Sequence, residues 1–232
     1  TLCGVTWTEW VTSPAVDHGI EVLNDCLGGY LLIVALLTLF IPASNRLLRW
    51  LLVGAFAIVA FHHLLVWKEH FWQLGQLLEL SFLTASPLLY PHYTRTETDR
   101  PKLNFNLLRW LIAFTFIGHG LYAVGFHAVP AYFVLMVQSG IGVGEETARS
   151  LHVLVGILDF LAAALLLLPN NKAQRSALAW IIPWALLTTF ARVWSVGGLV
   201  SFGTLLTQWG PEVVVRLPHI FLPLAVWFGL RW

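Results

Sequence analysis

The chain has 232 residues, of which 58% are hydrophobic and only 11% charged, with a formal net charge of +1 and a mean hydropathy of +0.75. An ordinary soluble domain carries about a quarter of its residues as charges, so this composition excludes that class and leads to the expectation of an integral membrane protein in contact with a lipid bilayer. There is no basic tract, acidic tail or low-complexity segment, and no nucleic-acid partner is expected.

Residues 1–26 hold neither Lys nor Arg and lack an early apolar core, so they do not read as a cleavable signal peptide, and the first crossing is expected to direct insertion. They form an expected outer N-terminal segment bounded by Cys3 and Cys26, which either pair in an oxidising compartment or stand as two unrelated thiols. Apolar runs follow at 27–42, 47–67, 71–90, 107–127, 151–169, 176–196 and 213–231, each near the roughly 20 residues that cross the hydrocarbon core. The expected fold is therefore all-α: a single membrane domain of seven helices over 1–232, with three helices in 27–90 and a four-helix unit in 107–231.

Basic residues set the expected orientation. Arg46, Arg49, Arg95, Arg100, Lys102, Arg109, Lys172, Arg175 and Arg231 fall on one side of the predicted crossings, and only Lys68 and Arg149 on the other. The positive-inside rule then puts the N-terminus outside and the C-terminus inside, in a multi-pass protein of a cell membrane such as a bacterial inner membrane. On the outer side, Ala128 to Ser150, with Gly140, Gly142 and Gly144, and Val196 to Pro211 read as interfacial or re-entrant segments that form a lid. The glycine series follows no strand and has no P-loop lysine, so it is not a phosphate loop. Twelve Trp, fifteen Phe and five Tyr fit interfacial belts and lipid-facing packing better than cofactor stacking.

Counting along the helices at 1.5 Å per residue places the intramembrane polar groups in one outer layer, roughly 5–15 Å below the outer ends. His62 and His63 come from the second helix, Gln76 and Glu79 from the third and His119 from the fourth. His152 and Asp159 come from the fifth, Arg192 from the sixth, and Arg216 and His219 from the seventh. Within each helix they fall at three- and four-residue steps, which makes one polar stripe per helix. Pro223 leaves the His219 carbonyl without its intrahelical donor, as suits a helix bent around a cavity.

Glu79, Asp159, Arg192 and Arg216 would together cost on the order of 10 kcal/mol if lipid-exposed and unpaired, so they are expected to neutralise one another, with Asp159 and Arg192 in one ionic network. One reading makes them buried salt bridges that fix helix registry, with the histidines as hydrogen-bonding fillers. The other makes them a site, since five histidines in one layer exceed what two ion pairs need. In that reading His119, Asp159, Glu79 and Arg192 are the catalytic candidates, and Arg216, His219, Gln76 and His152 contact substrate. No tight metal-ligand spacing occurs, so a metal would have to be assembled from separate helices, drawing on His62, His63, His119 and His219. A haem would need His119 facing His219, His62 or His63 across a slot. Neither cysteine nor any serine has a His and an acid placed for nucleophilic catalysis.

The stretch RWLIAFTFIGHGLYAVG, Arg109 to Gly125, opens on an arginine and carries the pair His119-Gly120 about ten residues on; it is followed by LVGILDFLAAALLLLP, Leu154 to Pro169, and two further apolar helices. In this it resembles the DoxX-like membrane proteins over roughly residues 107–231. The resemblance lacks the lysine that the family often has shortly after the His-Gly pair. It implies a membrane protein of a redox system with quinone as electron acceptor or donor, working through a His/Asp/Glu/Arg layer. Two readings compete: a non-catalytic subunit of a larger electron-transfer or photosynthetic complex, associated with other membrane subunits or with its own copies, and a transporter or proton channel. The topology has a direct test: a cysteine at Gly142 should react with an impermeant probe from outside and one at Thr98 should not. The reverse pattern would invert the protein.

Overall fold

The computed structural model describes Thr6, Thr8 and residues 12–93, 105–198 and 200–229. Cys3, Arg95, Thr98, Arg100, Lys102 and Arg231 lie outside the described residues, so the suggested Cys3–Cys26 pair and part of the basic-residue pattern do too. The described residues are helical throughout, with no strand among them. The helices are α1 (Pro14–Phe40), α2 (Arg46–Glu69), α3 (Leu74–Tyr93), α4 (Phe105–Ala123), α5 (Ala131–Ile141), α6 (Glu145–Leu167), α7 (Asn171–Val196) and α8 (Phe202–Gly229). Five of them, α1, α2, α6, α7 and α8, are long and apolar enough to cross a membrane, which fits a multi-pass membrane protein.

Two boundaries differ from the sequence expectation. The outer N-terminal segment was expected to run to residue 26, yet α1 is already helical from Pro14. Ser13 precedes a proline at the first helical position and Asp17 sits in the first turn, an arrangement that favours helix initiation. The second difference lies in Val196 to Pro211. Within this segment, read as interfacial or re-entrant, helix resumes at Phe202, passes through a π-helical turn at Leu205–Trp209 and continues as Gly210–Gly229. Ser201 caps its start by accepting from the Thr204 amide at 3.2 Å, and Pro211 falls in the first turn of the α-helical part, where a missing N–H costs little.

The chain divides into two compact units. The first comprises residues up to His62 and Ala85–Pro101. Its core is Val34 from α1 with Leu48, Leu52 and Ala55 from α2. Two tyrosines tie it: the Tyr30 hydroxyl donates to the Leu51 carbonyl at 2.7 Å, and the Tyr90 hydroxyl to the Thr38 carbonyl at 2.5 Å. Cys26 is exposed.

The second unit comprises His63–Thr84 and Lys102–Trp232. Here α4 packs on α6, α6 on α7, α7 on α8 and α8 back on α4, so these four helices close into a ring, and α5 lies against α6 and α7. The chain breaks between them are capped locally. Gly142 ends α5 in the left-handed conformation at φ 71°, and Gly144 is the N-cap of α6, whose first turn carries Glu145 and Glu146 against the helix dipole. Asn170 caps α7 by accepting from the Lys172 and Ala173 amides.

The closest backbone approaches flank one histidine. A Cβ at Gly118 would lie 2.6 Å from the Gly75 carbonyl oxygen and 2.7 Å from the Glu79 nitrogen, so α3 touches α4 there. A Cβ at Gly120 would meet the Phe160 ring at 2.9 Å and the Gly156 carbonyl at 3.2 Å, so α6 touches α4 one residue beyond His119. Gly118→Ala should therefore lower stability by about 1–3 kcal/mol through forced separation of α3 and α4, in spite of alanine's better helix propensity. Gly28→Ala, where nothing lies within 4 Å, should be neutral or stabilising. Thermal unfolding in detergent reads the contrast, and equal melting points for the two variants would show that the close approach is not tight.

Candidate functional site

The Gly118 contact brings the second turn of α3 against the middle of α4, so Glu79 reaches His119. Glu79 Oε1 stands 3.3 Å from His119 Nε2 and 3.4 Å from Arg216 Nη1, a carboxylate shared by an imidazole and a guanidinium from two other helices. All three side chains are largely buried. The His119 ring stacks on His219, with centroids 6.1 Å apart and planes 19° from parallel. His219 Nδ1 meets the Arg216 carbonyl at 3.2 Å, while its buried Nε2 has no hydrogen-bond partner. His219, Thr115, Pro218 and Pro223 also border a water-sized cavity of about 10 Å³.

On the other side of His119 lies a cavity of about 310 Å³. Its wall is mainly apolar, with Met136 and Ile141 from α5, Leu151 and Val155 from α6, and Leu187 and Trp194 from α7. Five ionisable side chains break that wall: His119, His152, Asp159, Arg192 and Arg216. An apolar hollow with a few convergent polar groups is the usual form of a small-molecule site. The α5 side that borders it, an eleven-residue helix, comes from the Ala128 to Ser150 segment.

Charges at the rim are paired differently from the expectation. Arg192 was expected to share a network with Asp159, but its Nη1 bonds Glu212 Oε2 at 2.7 Å. Its guanidinium carbon lies 5.4 Å from the Tyr132 ring centroid on α5, close enough for a cation–π contact. Asp159, almost wholly buried, instead accepts from the Trp180 indole at 3.2 Å, and Trp180 stacks on Trp184 in the cavity wall. Glu212, in the first turn of the Gly210–Gly229 part of α8, reaches Arg192, while an indole donor from α7 serves the aspartate. Two buried nitrogens at the cavity keep no partner: the donor Arg192 Nε and the ring nitrogen His152 Nε2.

The remaining candidates fall away from the larger cavity. Gln76 Oε1 receives the Tyr122 hydroxyl at a long 3.5 Å, and neither Gln76, Glu79 nor His219 borders the hollow. His63 Nδ1 bonds the Thr84 hydroxyl at 2.6 Å, and His62 is exposed. Among the described residues no group of three or more His, Cys, Asp or Glu side chains is arranged to hold a metal ion. His119 and His219 do stand together, but His119 Nε2 is turned to Glu79.

No family model, no curated protein and no solved structure matches the chain. The resemblance to DoxX-like proteins thus rests on the sequence features alone. Arg109, which opens that resemblance, pairs with Asn106 one turn earlier on α4.

Sequence reasoning missed four residues that shape the site: Glu212, Trp180, Tyr132 and His127. Glu212 had a signal, its four-residue spacing to Arg216. His127 accepts the Gly75 amide at 3.1 Å and so fastens the first turn of α3; nothing in its local sequence marks it. The pairing has a consequence for coupling energies. A double-mutant cycle of Arg192→Gln with Glu212→Gln should show an interaction of about 0.5–3 kcal/mol, and the cycle of Arg192→Gln with Asp159→Asn should be additive within about 0.5 kcal/mol. Thermal or denaturant unfolding reads both cycles, and the opposite ranking would restore the Asp159–Arg192 pair.

Proposed function

We propose that this chain is a seven-crossing membrane protein, N-terminus outside, that holds a lipophilic ligand of the quinone class in the cavity beside His119. In this reading it serves a redox system. The electrons come from a partner reductant, and this chain supplies the binding site and exchanges the protons that quinone and quinol interconversion moves. The observation that carries the reading is the composition of the 310 Å³ hollow: an apolar wall for the ring and tail, with His119, Asp159, Arg192 and Arg216 set into it.

Each group has work suited to its chemistry. Arg192 and Arg216 present N–H donors to carbonyl oxygens, and a guanidinium stays charged throughout. His119 borders the cavity and holds Glu79 on its other side, so a proton taken from or given to a ligand oxygen passes to a ring whose partner carboxylate steadies the charged form. Glu79 lies behind it and shares its charge with Arg216, which keeps the carboxylate compensated whichever form the imidazole takes. Asp159, held by Trp180, is the second acid at the wall. The DoxX-like resemblance supports the same class of ligand.

Binding is the first test. Titrating a short-tailed benzoquinone into the purified protein in nanodiscs should quench tryptophan emission saturably, and replacing Trp184 and Trp194 by Phe should remove most of the quenched component, since both indoles border the hollow. Lack of saturable quenching up to the solubility limit would remove the quinone reading. His119→Gln should keep the ligand bound, because glutamine still hydrogen-bonds, while slowing proton-coupled turnover by about 10²–10⁴-fold. An unchanged rate would leave His119 as a packing residue.

A further inference from the structure

The quinone reading needs only hydrogen-bond donors, but the rim of the cavity offers more. Arg192 is 5% exposed, its Nη1 pairs with Glu212, and its Nε–H is left without an acceptor. An N–H of a buried cation that bonds to nothing costs free energy, of order 1–3 kcal/mol, and such a group is retained where something else supplies the acceptor. His152 Nε2, on the facing helix α6, is orphaned in the same cavity. The compensating carboxylate is itself placed to leave: the Glu212 side chain is 45% exposed, against 6% for that of Arg192. A half-exposed carboxylate loses little by moving into solvent, whereas the arginine has nowhere else to go.

We propose that Arg192 is a receptor for an ionised oxygen head group, with Glu212 as its displaceable counter-ion. This rests on the reading of the cavity as a ligand site and specifies the charge of what enters it: an amphiphile with an anionic oxygen at one end and an apolar body along Leu187, Val155 and Met136. For a quinone-type ligand this means an ionised hydroxyquinone or quinolate in preference to a neutral quinone. Asp159 borders the same cavity, where one of its oxygens accepts from the Trp180 indole. Arg216 also borders the cavity, with its charge shared with Glu79.

The test compares ligands that differ only in charge. A 2-hydroxy-3-alkyl-1,4-naphthoquinone, ionised at neutral pH, and its 2-methoxy analogue, which cannot ionise, are titrated into the full-length protein in nanodiscs of neutral lipid. The hydroxy compound should bind at least about tenfold more tightly, the size expected of a hydrogen bond to a charged group. Arg192→Gln should erase that preference, and Arg192→Lys, which keeps the charge but loses Nε–H and the fork, should reduce it. Glu212→Gln, which removes the competing carboxylate, should widen it severalfold. Equal binding of the two compounds, or a narrower preference in Glu212→Gln, overturns the proposal and leaves the quinone reading standing. An alkyl carboxylate and its methyl ester separate the two claims in the other direction. If neither naphthoquinone binds but the carboxylate binds in preference to the ester, and Arg192→Gln removes that preference, the anion receptor holds and the quinone reading falls. If none of the four binds, both fall.

Discussion

The structure of the second unit depends on keeping one carboxylate compensated inside an apolar bundle. Glu79 sits on a helix whose other neighbours are leucines, and an isolated ionised carboxylate there would cost far more than any packing contact returns. It is tolerated because His119 and Arg216 reach the same oxygen from α4 and α8. That convergence has a steric precondition. Gly118 and Gly75 must let α3 and α4 approach backbone to backbone, since any side chain at Gly118 would push Glu79 out of reach of His119. Gly120 and Gly156 do the same for α4 and α6 on the opposite side, with a glycine Cβ at either position within about 3 Å of the other helix. His119 is therefore clamped between two helices, and its position is determined by small residues that are chemically silent.

A second consequence is the division of labour between the two arginines. Arg216 is drawn into the Glu79 cluster and stabilises the fold, whereas Arg192 relies on a carboxylate at the rim. Breaking a buried pair from one side leaves an uncompensated charge and is strongly unfavourable, while a pair with one exposed member can exchange partners at low cost. The same distinction separates registry from reactivity among the histidines. His219 is packed beneath Phe82 and stacked on His119, a position that holds α8 in register. His152 borders the hollow with a bare Nε2.

Much of the helical layout was legible in the sequence because lipid-compatible segments must be both apolar and long. The runs at 47–67, 151–169 and 176–196 lie within or over α2, α6 and α7. The failures came where local capping chemistry decided the ends. Pro14 starts a helix inside the stretch read as an outer N-terminal segment, and a π-turn lies within the stretch read as interfacial or re-entrant. For the site, the residue types were legible but their partners were not. Spacing along one helix shows which side chains share a face, and Thr189, Arg192 and Ser195, three residues apart on α7, are all buried. It does not show which neighbour faces them. Asp159 was matched with Arg192 on charge alone, and an indole, which carries no formal charge, took the position instead. Hydrogen-bond donors of this kind are invisible to any count of acids and bases.

The weight given to function over registry turns on the orphaned nitrogens and not on the ion pairs. Buried salt bridges are weak evidence for a site, because a bundle uses them to select one helix arrangement among several. Were registry their whole purpose, every donor in the layer should be satisfied by the protein, since an unsatisfied N–H in an apolar wall lowers stability and selects nothing. The Glu79 cluster comes near that standard: its carboxylate meets an imidazole and a guanidinium, and its unpaired atom, His219 Nε2, is deep in packed surroundings beside a cavity large enough for one water. The Arg192 and His152 atoms do not meet it. They stand in a hollow of about 310 Å³, far larger than packing defects in a close-packed bundle, and the side of that hollow nearest them is formed by a short helix that Arg192 itself holds through Tyr132. A ligand that met the bare Arg192 N–H would also be touching the residue that contacts α5 through Tyr132, so ligand binding and the placement of α5 would draw on the same guanidinium.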